Sequence, residues 1–390
     1  AVLLTLLLLF LSGENVELRG QNLDSLVHHA IIFSGNQLKR SLVELDDTLL
    51  YPRATDSNGY WMKVAPGDWT SGFFPGCLWY GYELTGDTAF RNAAERWTAG
   101  LAGQQVNVHT HDVGFIMFDS YGNGYRIHPN AEYKNILLRS AQSLATRFNP
   151  KVGCIRSWDN RKWQFPVIID NMMNLELLFW ASKNGGGQDL YDIAFSHALK
   201  TMEHHFRSDG STYHVVDYDS ATGRVLSRET HQGYADESVW ARGQAWAIYG
   251  FTMSYRETRD PQFLQTAEKA AAYFIGHLPT DGIPYWDFLV PNIERQPRDV
   301  SAAAIAASAL IELSTYTKNS ENKGAYESAT KKILSSLCQP PYLAEGTTSS
   351  GILNHAVGNY PAHSEIDVSL IYADYYFLES LRRYQRMTLQ

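Results

Sequence analysis

The stretch Gly76-Cys77-Leu78-Trp79-Tyr80-Gly81-Tyr82-Glu83-Leu84, followed by Thr85-Gly86-Asp87 and then Phe90, Ala93 and Ala94, reads as two helices joined by a short polar turn. The first is small or apolar nearly all round, as a buried helix must be. The second carries Arg91, Glu95 and Arg96 at helical spacing and so faces water on one side. The pattern returns along the chain. Leu175 to Ala181 leads through Asn184-Gly185-Gly186-Gly187 to Tyr191, Ala194 and Ala198. Gln244-Ala245-Trp246 runs to Tyr255, turns at Thr258-Arg259-Asp260-Pro261 and resumes with Phe263, Ala267 and Ala271. Ser301 to Leu313 turns near Asn319-Ser320-Glu321-Asn322 and resumes with Tyr326, Ala329 and Ile333. Weaker copies lie at 113–148 and 366–384, the last closed by a helix expected near 37–49. The period is roughly sixty residues, above the usual range for helical-hairpin repeats. About six hairpins with buried inner helices predict an all-α fold, a closed α/α barrel. An open superhelical array would need a polar capping repeat, and none is visible.

The connections are unequal. Turns after the inner helices are short, whereas those leading into them, at 60–74, 107–112, 154–170, 213–240, 283–299 and 351–367, are long and rich in aromatics, His and Asp. In a barrel all of these emerge at one end, and long loops on a rigid scaffold are where function concentrates. One of them, 213–227, reads as a small β-hairpin that turns at Ser220-Ala221-Thr222-Gly223.

Two carboxylates stand at the starts of inner helices. Asp170 follows the apolar run Phe165-Pro166-Val167-Ile168-Ile169, and Asp112 lies in Val108-His109-Thr110-His111-Asp112-Val113-Gly114-Phe115. Lost hydration and a nearby like charge raise a carboxyl pKa, whereas a helix N-terminus lowers it. One acid is therefore expected to stay charged and the other to hold its proton, the split that acid–base pairs use. For Asp170 the alternative is simple helix capping. Trp69, Trp158, Trp240, Trp246 and Trp286 fall in the long connections or at inner-helix starts, as sugar-stacking faces or as large core residues. Arg242, in Trp240-Ala241-Arg242-Gly243-Gln244-Ala245-Trp246, has the fork to grip a carboxylate, or it forms a structural ion pair with Asp236 or Glu237. His109, His111, His214 and His231 lack the paired spacing of metal ligands on one helix, so hydrogen bonding to a hydroxylated or anionic ligand is the expected use.

The 390 residues carry a net charge of −8 with no long Lys/Arg cluster, which argues against a nucleic-acid partner. Anion binding must then come from local Arg, His and backbone groups. The run Ala1-Val2-Leu3-Leu4-Thr5-Leu6-Leu7-Leu8-Leu9-Phe10-Leu11-Ser12-Gly13 reads as the apolar core of a secretory signal peptide without its basic start. Residues 1–20 are set aside on that reading, 21–390 are expected to form a single barrel domain, and a secreted or periplasmic location follows. No later stretch is long and apolar enough for a membrane span. Cys77, Cys154 and Cys338 are far apart and odd in number, which favours small buried hydrophobes.

At these motifs the sequence resembles the unsaturated glucuronyl hydrolases, family 88 of the glycoside hydrolases. The matching stretches are Asp68-Trp69-Thr70-Ser71-Gly72-Phe73-Phe74, His111-Asp112-Val113-Gly114-Phe115, Ile168-Ile169-Asp170-Asn171-Met172-Met173-Asn174-Leu175, Ser211-Thr212-Tyr213-His214, Thr230-His231-Gln232-Gly233, the Trp240 to Trp246 run, and Tyr285-Trp286-Asp287-Phe288. The resemblance implies an (α/α)6 barrel. It implies release of a 4,5-unsaturated uronic acid from the non-reducing end of polysaccharide-lyase products, by acid-catalysed hydration of the C4=C5 double bond. It gives Asp170 the role of general acid and base and Asp112 that of second essential carboxylate. His214, Gln232, Trp240, Arg242 and Trp246 match substrate contacts, and Trp69, Trp158 and His231 match more loosely. The implied partner is an unsaturated uronic-acid oligosaccharide, and no metal or organic cofactor is implied. The related unsaturated rhamnogalacturonyl hydrolases and a non-catalytic carbohydrate-binding barrel are the alternatives. Matching is weakest at 351–364 and after Tyr285, and 357–364 is expected to line the place of the next sugar.

Overall fold

The computed structural model describes residues 22–46, 49–160 and 162–388, so the apolar run at 1–13 lies outside the described residues. In chain order the helices are α1 (Leu23–Leu45), α2 (Phe73–Thr85), α3 (Thr88–Ala99) and α4 (Val113–Met117), which passes through a π turn at Phe118–Gly122 into α5 (Asn123–Ile127). They continue as α6 (Ala131–Ala145), α7 (Asn171–Ala181), α8 (Gln188–His204), α9 (Ala241–Thr258), α10 (Pro261–Gly276), α11 (Val300–Tyr316), α12 (Ser320–Leu337) and α13 (Ile371–Thr388).

Among the described residues six helical segments form an inner ring. Helix α2 packs on the α4–α5 segment, α4 on α7, α7 on α9, α9 on α11, α11 on α13, and α13 returns to α2. That closure is the expected (α/α)6 barrel. Composition explains the ring. Helix α11 is buried on every face along Val300 to Ile311, and its run of alanines lets α9 and α13 approach from both sides. Helix α4 comes so close to α7 that a Cβ on Gly114 would lie 2.5 Å from the Asn174 Cα. The outer helices bury one face only, and several carry orthodox N-caps. Asp87 accepts from the Ala89 N–H, Asn130 from Tyr133, Asp260 from Gln262, and Asn319 from Glu321.

The closing outer helix differs from expectation. It runs Leu23–Leu45 rather than near 37–49, because Asn22 caps it and Leu26, Val27, Ala30, Ile31, Leu38 and Leu45 keep one buried stripe. It packs on α2, α12 and α13. Strand content also exceeds the single expected hairpin. There are two-stranded antiparallel sheets β1 (Tyr51–Thr55) with β2 (Trp61–Val64) and β3 (Phe148–Asn149) with β4 (Cys154–Ile155). The expected hairpin is β6 (Val215–Tyr218) with β7 (Val225–Glu229), and β5 (Pro166–Ile168) extends it to three strands; β8 (Ala356–Asn359) pairs with β9 (Ser364–Val368). Strands this short show no sustained alternation in sequence. All three cysteines are buried and free.

Candidate active site

The inner helices run in one direction, so their N-termini gather at one end. A cavity of about 210 Å³ opens there, and Asp112, Asp170, Trp69, Trp158, His231 and Gln232 are in its wall. The long connections do converge, and the two acids share one hollow.

Local structure sets each acid apart from an ordinary cap. Asp170 stands at the N-cap of α7 and Asp112 at that of α4, yet neither side chain makes a capping bond. The capping alternative for Asp170 is therefore excluded. The antiparallel register Ile168↔Val215 and the Ile169 N–H bond to the His214 carbonyl, 3.0 Å, bring Asp170 beside His214. The His214 Nε2 lies 3.6 Å from Asp170 Oδ2. Its Nδ1 accepts from the backbone N–H groups of His231 and Gln232, both at 3.2 Å, so the ring proton sits on Nε2 and faces the carboxyl. Asp112 has a parallel arrangement. Asn174 accepts from the Phe115 N–H with Oδ1, which turns its amide nitrogen toward His111 Nδ1 at 3.4 Å. The His111 Nε2 then faces Asp112 Oδ1 at 3.3 Å, and Thr110 donates its hydroxyl to Oδ2 at 2.9 Å. Burial holds both imidazoles below their ordinary pKa, so both are neutral near pH 7.

Burial pushes the Asp170 carboxyl up to about 7; Arg242 and the residue's own backbone N–H pull it down, the charge of Asp112 adds to the rise, and Trp246 again pulls down. The Trp246 indole acts from close by without hydrogen-bond geometry, since its Nε1 and Asp170 Oδ2 are both buried and unpartnered. An acid of this kind holds a proton near neutrality and can exchange it.

Arg242 reaches the cavity from the first turn of α9 and is 1 % exposed. Its ion pair is with Asp299, Nη1 to Oδ2 3.1 Å, and not with Asp236 or Glu237. Asp236 instead accepts from the Thr230 N–H, and Glu237 faces Arg207. Arg242 also donates to the carbonyls of Val357 and Gly358 on β8, the latter at 2.6 Å, and so clamps the 351–367 connection over the mouth.

The remaining expected residues divide. Trp69 and Trp158 line the cavity, as do His231 and Gln232, whose Nε2 donates to the Gly358 carbonyl at 2.9 Å. His214, Trp240 and Trp246 do not line it. Trp240 is 4 % exposed and stacks on the His214 ring at 4.4 Å, and Trp246 is wholly buried against Phe115 and Tyr376. Trp286 is also core, stacked on Tyr360. The core reading of tryptophan thus holds for three of the five. Sequence reasoning missed Arg53, Glu365 and Tyr372, which complete the wall. Arg53 donates to Asp68 at 2.9 Å and to Glu365 at 2.5 Å, joining β1 to β9 across the mouth. No local motif marks them, because this pairing spans most of the chain.

A ring of helical hairpins with a raised carboxyl beside a second acid and aromatic walls at its mouth has the build of a carbohydrate-active hydrolase. The model of Glycosyl Hydrolase Family 88 matches residues 51–376, and the chain belongs to that family. It is 49% identical over 334 residues to an unsaturated glucuronyl hydrolase of Formosa agariphila, covering 84% of this chain and 82% of that one. It is 33% identical over 342 residues to an unsaturated chondroitin disaccharide hydrolase of Streptococcus pyogenes, covering 86% of each. A solved unsaturated glucuronyl hydrolase specific for heparin superposes with a TM-score of 0.91 at 47% identity, over 94% of this chain and 99% of that one.

Proposed function

We propose that this chain removes the 4,5-unsaturated uronic acid from the non-reducing end of lyase-generated, glycosaminoglycan-type oligosaccharides, with Asp170 as acid and base. One observation carries the reading: a carboxyl raised to about 7 shares a small cavity with a second acid. A hollow of about 210 Å³ takes a terminal ring rather than the middle of a chain. Protonated Asp170 gives its proton to C4, and positive charge develops at C5 and the ring oxygen. Water adds to C5 and loses a proton to the Asp170 carboxylate, restoring the acid. The C5 hemiketal then opens to a ketone, C1 becomes a hemiacetal, and its collapse to the aldehyde frees the shortened sugar. Asp112 holds the substrate and tunes Asp170, and Arg242, in the cavity wall, faces the uronate carboxylate. The spacing rule for retaining and inverting glycosidases does not apply, because the anomeric carbon is never attacked.

Unsaturated chondroitin and heparin disaccharides are expected to lose their ultraviolet absorbance with the enzyme, and an unsaturated rhamnogalacturonan disaccharide to keep it. The reverse order would sink the substrate assignment. A pH profile tests the acid pair. Turnover should fall as pH rises through about 7, where Asp170 loses its proton. Asp112 raises that pKa, so Asp112→Asn should move the falling limb to lower pH. A limb that stays put separates Asp112 from Asp170. We also propose a secreted or periplasmic location, supported by the apolar run at 1–13; cell fractionation checks it.

A further inference from the structure

A second cavity, larger than the one with the acid pair, opens elsewhere among the described residues. It measures about 730 Å³ and lies at the opposite end of the barrel, among the C-terminal halves of the inner helices. Tyr80 of α2, Trp180 at the end of α7, Arg256 of α9, Thr315 of α11 and Arg383 of α13 all reach it. Its volume is in the range of small-ligand sites, roughly 300–1,000 Å³.

The lining is polarised. On one side Arg126, Arg382 and Arg386 crowd around a single carboxylate, Glu83, at 2.6, 3.5 and 3.3 Å. Three guanidinium groups on one carboxylate leave positive charge in excess. On the other side the balance reverses, since Arg256 meets Glu176, Glu257 and Glu312, Arg383 meets Glu312 and Glu379, and Lys183 meets Glu257, three cations against four carboxylates. Between them stands an aromatic shelf, where Trp180 packs edge-on against Tyr125 at 5.2 Å and tilts against Phe118 at 6.1 Å, all three partly open. One polar atom of the wall, Asp119 Oδ2, is buried with no hydrogen-bond partner.

Arginines alone would be explained by the carbonyl ends of the inner helices, which favour cations. That account covers neither the half-buried aromatic shelf nor the facing row of carboxylates. Together the three features match one ligand chemistry. Guanidinium forks pair with a sulfate or carboxylate, carboxylates accept from sugar hydroxyls, and an indole face receives a pyranose ring. We propose that this far cavity is a second carbohydrate site that binds an acidic oligosaccharide, its anionic group on Arg126, Arg382 and Arg386 and one ring on Trp180. The proposal stands on this lining and not on the roles given to Asp170 or Asp112.

The test is calorimetric binding to the full chain of a chondroitin sulfate tetrasaccharide whose non-reducing end is saturated, so that it cannot be turned over. An unsulfated chondroitin tetrasaccharide and neutral maltotetraose are the comparison arms. Binding is expected for the two acidic sugars, stronger with sulfate, weakened by salt, and absent for maltotetraose. Arg386 is more than half exposed, so Arg386→Ala should fold normally and weaken binding about tenfold, the loss of one charge-assisted contact. Trp180→Ala should do the same. Turnover of the unsaturated disaccharide should be unchanged in both variants, and the saturated tetrasaccharide should not inhibit it. No binding by the parent chain, equal binding of maltotetraose, unchanged affinity in both variants, or competition with the unsaturated disaccharide would each overturn the proposal.

Discussion

Asp170→Asn should reduce turnover by about two to four orders of magnitude, the range expected when a positioned proton donor is removed. The fold gives this substitution an unusual accompaniment. Asp170 is held up at about 7 in the folded chain, mainly by burial, whereas an exposed aspartate titrates near 3.9. The folded state therefore binds the proton more tightly than the unfolded state. Its contribution to stability is present below about pH 4 and is lost as pH rises through 7. Asparagine carries no such charge. The variant should be as stable as the parent at acid pH and more stable at pH 8, with the gap opening between about pH 4 and 7. Absorbance decay with an unsaturated disaccharide reads the first effect, and urea melts at pH 4 and 8 read the second. Loss of activity with a gain in stability marks a group retained for chemistry. Retention of near-parent turnover would remove Asp170 from the mechanism.

The barrel was legible because its signal is local and repeated. Most inner helices are apolar or small nearly all round, each outer helix is charged on one face, and the turns between them are short; α13, with Glu379, Arg382 and Arg383, is the exception and reads only as a weak copy. The shared mouth followed from topology alone, since every long connection precedes an inner helix. What sequence could not supply was depth. Trp240 and Trp246 look from the motif like platforms, yet Trp240 supports the His214 ring and Trp246 backs Asp170 from inside α9. Residues six apart on one helix start cannot all face a hollow of about 210 Å³. Arg53, Glu365 and Tyr372 were missed for the opposite reason. Arg53 and Tyr372 lie outside the long connections, Glu365 lies in one but outside the run 357–364, and only the closing of the ring brings β1 and β9 together. The partner of Arg242 was misplaced in the same way, because nearby Asp236 and Glu237 outcompete distant Asp299 in any reading by proximity along the sequence.

That misplaced partner yields the second large effect. Arg242 and Asp299 are 1 % and 0 % exposed, and Asp299 also accepts from the Ser301 N–H and hydroxyl and from the Val357 N–H. Deleting one member of a buried ion pair leaves an uncompensated charge and costs about 3–5 kcal/mol. Arg242→Met should therefore lose a large share of a typical folding stability, of about 5–15 kcal/mol, and urea melts would show it. Converting Asp299 as well, in Arg242→Met with Asp299→Asn, removes both charges and should recover much of the loss. Activity should not return with it. The carbonyls of Val357 and Gly358 lose their donor, so the 351–367 connection is no longer clamped against α9. Asp170 also loses its principal nearby cation, which raises its pKa further and moves the falling limb of the pH profile to higher pH, opposite to the shift expected for Asp112→Asn. A stable double variant with parent-like turnover would show Arg242 to be scaffolding alone. A stable, inactive one separates its structural role from its place in the site.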